Sequence, residues 1–155
     1  MALAPNQELE FDEDDLAPIA TVIDELAVGG EGWVNLRPEV EPGQAPPPRG
    51  ALFALLSGRG ESVPLVTWSA EGVGARRSVG ITHGSGPRAM ARLRQRDLDL
   101  PPGWTRQADH PKRGLVLTTP PDADADATVW WLLTAAHVLS DLPLTGAWQA
   151  KVYDG

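Results

Sequence analysis

At 155 residues the chain has the length of a single domain, and 42% apolar residues with six tryptophans exclude disorder across its whole length. It has no cysteine, which excludes a disulfide framework, thiolate catalysis and sulfur-ligated metal. The formal net charge of −8 opposes long-range attraction to phosphate backbones, so no nucleic-acid partner is expected.

The charge is unevenly placed. Residues 1–41 carry −10, with Arg37 their only base; residues 42–113 carry +6; residues 114–155 carry −4, with Lys151 their only base. The acidic start and the arginine-rich middle can screen each other across a folded surface, and the same asymmetry can serve as a docking patch. No basic residue followed by an apolar run opens the chain, so a cleaved signal peptide is not expected. The longest apolar stretch, Ala127–Leu139, is shorter than the roughly 18 residues a membrane span needs. A cytoplasmic protein without a membrane partner is the resulting expectation.

Residues 1–14 are acidic and read as a flexible arm. Leu16, Ile19, Ala20, Ile23, Leu26 and Ala27 then recur at helical spacing. Pro18 is tolerated only in a first turn and Gly29-Gly30 supplies a left-handed stop, which predicts a helix over Asp15–Val28. Trp33–Val40 alternates as a strand, and Pro38 argues for a sheet edge or a strand end. Residues 41–50 hold six glycines and prolines and form a Pro-rich loop. Residues 51–56 lean towards a short helix.

Val63–Ala70 and Arg76–Thr82 form a hairpin around Glu71-Gly-Val-Gly74. Ser85-Gly-Pro87 predicts the opening of a second helix, with Ser85 as its cap and an end near Gln95. Trp104–Ala108 and Gly114–Thr119 form a second hairpin. A third helix over about Thr128–Ser140, capped by Asp126, is apolar nearly all round, as for a helix covered by the sheet on one side and by something else, such as a second subunit, on the other. Trp148–Tyr153 closes the pattern as a strand.

These elements amount to one α+β domain over residues 15–155, with a mostly antiparallel sheet of about five or six strands and three helices. Their order is similar to that of the small acidic chaperones of type III secretion, which are α+β homodimers that bind partner proteins. The similarity is one of topology and rests on no motif residue; the closing strand and the Pro-rich insertion depart from that simpler order.

The most site-like feature is His83-Gly-Ser-Gly86, which falls between a strand and a helix. Amides at a helix start attract anions, and Arg88 and Arg92 lie one turn apart, so His83, Ser85, Arg88 and Arg92 are candidate ligand-binding residues for a phosphate or carboxylate. Ser85 beside His83 also raises a serine hydrolase, but the G-x-S-x-G spacing is absent and no carboxylate points to a triad, so no catalytic residue is named. Asp122-Ala-Asp-Ala-Asp126 copies the first ligand positions of a calcium loop without its glycine or its closing glutamate, and reads instead as a solvated helix entrance. His137 has no second ligand at helical spacing, and neither metal nor cofactor is implied. Trp130 and Trp131 point about 100° apart on one helix; they cannot share a stripe, so one of them is expected at an interface. The leading expectation is a non-catalytic protein-interaction module: a dimeric chaperone, adaptor or regulatory subunit, homodimeric or bound to a protein partner. A small-ligand or anion-binding module at 83–92 is the alternative, and an enzyme of unrecognised type the third.

Overall fold

The computed structural model describes residues 4–44 and 60–155, so most of the Pro-rich loop and all of residues 51–56 lie outside the described residues. Alternating burial builds the sheet. In β2 (Trp33–Val40) Val34, Leu36 and Pro38 are buried, and the same alternation runs through β3 (Leu65–Ser69) and β4 (Arg77–Thr82). It continues in β6 (Gly114–Thr119) and β7 (Leu144–Tyr153). Neighbouring strands hold these residues in register, Val34 opposite both Trp68 and Val152, and Val66 opposite Ile81, so one face of the sheet is apolar.

Among the described residues seven strands are present, one more than the upper end of the sequence expectation. With β1 at Gln7–Asp12 and β5 at Thr105–His110, the order is β1-β7-β2-β3-β4-β6-β5, with every pair antiparallel, and with the three helices described it makes the single α+β domain expected. The additional strand is β1 (Gln7–Asp12), which pairs with β7 over its whole length. Residues 7–12 are thus not the flexible arm that their acidity suggested. Glu8, Glu10 and Asp12 point away from the core while Phe11 is buried and Leu9 packs at its margin, so the acids obscured an alternating strand.

Pro38 does not mark an edge. β2 is interior, but its pairing with β3 covers only Trp33–Leu36, and its register with β7 shifts between Pro38 and Val40. The missing N–H therefore falls where a ladder bond is already lost.

Helix α1 (Ala17–Gly29) begins where the Asp15 carboxylate accepts from the Ala17 N–H at 3.2 Å, and it stops at Gly30, whose φ of 74° is left-handed. Helix α3 (Ala125–Leu139) is capped by Asp124, which accepts from the Ala127 N–H at 2.8 Å. Asp126, the expected cap, sits inside the first turn. Helix α2 (Ala89–Gln95) is shorter than expected and is not capped by Ser85. Both oxygens of Asp109, on β5 (Thr105–His110), accept from Ala89 and Met90 N–H at 3.0 Å, while Arg88 turns left-handed at φ 66°.

The apolar girth of α3 is explained by the chain itself. It lies against β3 and is flanked by α1 and α2, with Val129, Leu132, Ala135, Ala136 and Leu139 fully buried. Each large aliphatic side chain buried in this way contributes roughly 1.5–3 kcal/mol. Arg77 is also buried. It donates to the carbonyls of Ala70 and Gly72, both at 2.7 Å, and of Ala27 at 3.4 Å, which ties the end of α1 to the β3–β4 turn.

The opposite face of the sheet is half-covered and polar. Trp33 stacks on Tyr153 with ring centroids 4.8 Å apart, and the Thr67 hydroxyl donates to Asn35 at 2.9 Å. Among the described residues no helix is long and apolar enough to cross a membrane.

Candidate functional site

The structure joins three of the four residues singled out in the 83–92 segment. His83 directly follows β4 and is fully buried. Its Nδ1 lies 2.8 Å from the Ser85 hydroxyl and accepts from the Ser85 backbone N–H at 3.3 Å. Arg92, one turn into α2, donates to the Ser85 oxygen at 2.7 Å. Between the Ser85 hydroxyl and His83 Nδ1, which of the two donates depends on the tautomer: with Nδ1 accepting, the hydroxyl hydrogen points at it and the imidazole carries its own proton on Nε2. Arg88 stands apart, exposed and left-handed on the approach to α2.

This proximity of Ser85 and His83 does not make a nucleophile. A hydrolytic serine needs its histidine oriented by a carboxylate on the other ring nitrogen, but His83 Nε2 is buried without a hydrogen-bond partner among the described residues. The arginine pins the hydroxyl from its other side. Burial holds the His83 imidazole below its ordinary pKa; the negative charge of Asp109 opposes this, Arg92 adds to it, and Asp141 opposes it more weakly. The cluster is a hydrogen-bonded knot between β4 and α2 with a buried imidazole at its centre. It also explains why Ser85 fails as a cap, since its oxygen is already engaged.

The two adjacent tryptophans separate as their 100° offset requires. Trp131 is 3% exposed, donates its indole N–H to the Asp99 carbonyl at 3.0 Å, and packs against Trp104 with centroids 5.0 Å apart. It belongs to the core of this chain and not to an interface. Trp130 is 56% exposed, the only strongly exposed aromatic ring among the described residues.

Trp130 lines a groove of about 250 Å³ whose other walls are Glu13, Leu16, Leu133, Thr134 and His137. Positions 130, 134 and 137 recur at helical spacing along the outer side of α3, and the turn between β1 and α1 supplies Glu13 and Leu16. The Glu13 carboxylate organises the site. Its Oε1 accepts from the Trp148 indole N–H at 2.8 Å and lies 2.5 Å from His137 Nε2. Its Oε2 has no hydrogen-bond partner among the described residues.

Sequence reasoning missed Glu13. It lies 124 positions from His137 and was read as one acid among several in an unstructured arm. The only available signal was the shared stripe of Trp130, Thr134 and His137 on a helix otherwise apolar.

A larger groove of about 390 Å³ lies at the polar sheet face between Glu10, Arg37, Glu39 and Gln149; its walls carry one base beside two acids. Among the described residues no group of three or more histidine or carboxylate side chains converges in a way that could hold a metal ion. No family model, no curated protein and no solved structure matches the chain.

Proposed function

We propose that the chain is a non-catalytic protein-interaction module of the adaptor, chaperone or regulatory-subunit kind, acting in the cytoplasm, with its contact surface centred on Trp130. The observation that carries this reading is the split between neighbours. Trp131 is used up in the chain's own core, whereas Trp130 is exposed beside a groove that the described residues leave open. A large aromatic side chain kept exposed costs solubility and forgoes burial, and such residues are enriched among interface hot spots. The competing chemistry lacks its orienting group: the His83 ring is fully buried and its Nε2 has no carboxylate partner among the described residues.

Native mass spectrometry and sedimentation of the parent and of Trp130→Ser test this reading. The parent is expected to associate, with a second copy or with a supplied partner protein, and the variant is expected to lose that association while keeping its melting temperature. A parent that retains a defined small molecule, or a variant that associates as well as the parent, overturns it.

A further inference from the structure

From the groove at Trp130 we infer a binding site for a single cationic side chain, a lysine or arginine on an exposed segment of a basic partner protein. This rests on the interaction-module reading and specifies its ligand. Three observations converge on it.

The first is size. A cavity of about 250 Å³ falls below the range of ordinary small-molecule pockets and suits one long side chain. The second is the chemistry of the walls. Leu16 and Leu133 offer apolar contact to a methylene stem, Trp130 offers an aromatic face to the cation, and Glu13 lines the same groove with a carboxylate. Its Oε1 is already held by Trp148 and His137, so the carboxylate is fixed in place before any ligand arrives.

The third is the surrounding field. Neither α1, nor α3, nor the Glu13–Leu16 turn contains a lysine or arginine, while Asp14, Asp15 and Asp126 are exposed around the groove. No lysine or arginine competes with an entering cation, and the one titratable base in the walls, His137, already faces Glu13 Oε1. Two copies of this chain, each at −8, repel at long range, which favours a basic partner of another kind over self-association.

The test is a titration of the full chain with acetyl-Gly-Leu-Arg-Leu-Arg-Gly-amide, followed by the indole N–H resonances, with the same peptide carrying citrulline as control. Citrulline keeps the shape of arginine without its charge. The expected result is a saturable shift of the Trp130 indole with the arginine peptide and a response at least about tenfold weaker with citrulline. Glu13→Gln retains the acceptor for Trp148 and is expected to weaken arginine binding about fivefold or more; Trp130→Ser is expected to abolish it. Binding should also weaken as salt rises.

Equal binding of the citrulline peptide at Trp130 overturns the cation site and leaves the interaction surface standing. A dimer that Trp130→Ser dissociates assigns the groove to a second copy and likewise overturns the basic partner. If Trp130→Ser changes neither association nor peptide binding, both readings fall.

Discussion

Two histidine clusters tie separate parts of the chain together, and they differ in their access to water. Around His83 the partners are close in sequence, the imidazole is fully buried, and its Nδ1 and the Ser85 hydroxyl are engaged within the cluster. Around His137 the partners come from the far ends of the chain, the ring is partly exposed, and both it and Glu13 line an open groove. Nearness in sequence here marks a local structural knot. The open groove is the one that folding alone brings together, and fixed spacings in the sequence do not reach it.

The contrast predicts unequal costs. His83→Ala removes a fully buried ring and strands Ser85 and Arg92, so a loss of roughly 2–4 kcal/mol is expected. His137→Ala, at a side chain 37% exposed, should cost under about 1 kcal/mol. Urea denaturation of both variants checks this, and equal losses would remove the distinction between buried and open clusters. Asp109→Ala deletes both capping bonds to α2 and should cost about 1–2 kcal/mol, read in the same way.

The clusters should also differ in their response to acid. With the His83 pKa held below its ordinary value by burial, the unfolded chain takes up a proton near pH 6.5 while the folded chain does not. Unfolding therefore binds protons in that window. The contribution of His83 is complete above about pH 6.5 and is lost progressively as pH falls below it. Melting temperatures measured from pH 7.5 to 5 should fall, and a His83→Gln variant should show a shallower slope over that range. The smallest expected effect on stability is that of Trp130→Ser, within about 0.5 kcal/mol of the parent; a larger loss would return Trp130 to the core and close the comparison.

Most of the architecture was legible because burial imposes a period. Trp33–Val40 and Gly114–Thr119 fell where alternation put them, and Gly30 ended α1 as a left-handed glycine must. Failures arose where a tertiary partner replaced a local one. Asp109 caps α2 from another strand, which freed Ser85 from the role its spacing suggested. β1 was hidden because an edge strand with one wet face can carry three acids in six residues. The girth of α3 was read correctly as covered on several sides, but α1 and α2 supply that cover. At the site, the divergence of Trp130 and Trp131 followed from helix geometry alone, whereas nothing local ties Glu13 to His137.

The placement of β7 constrains how this chain is made. It lies between β1 and β2, yet it begins more than a hundred residues after β2 ends. While a ribosome is still translating that interval, β1 has no neighbour and β2 has only β3. Their exposed backbone must wait for the strand that joins them, so the acidic half of the sheet and the groove beside it form together, late, and after synthesis of β7. The repeated carboxylates of β1 then have a second use, since like charge on a waiting strand discourages two nascent chains from pairing with each other.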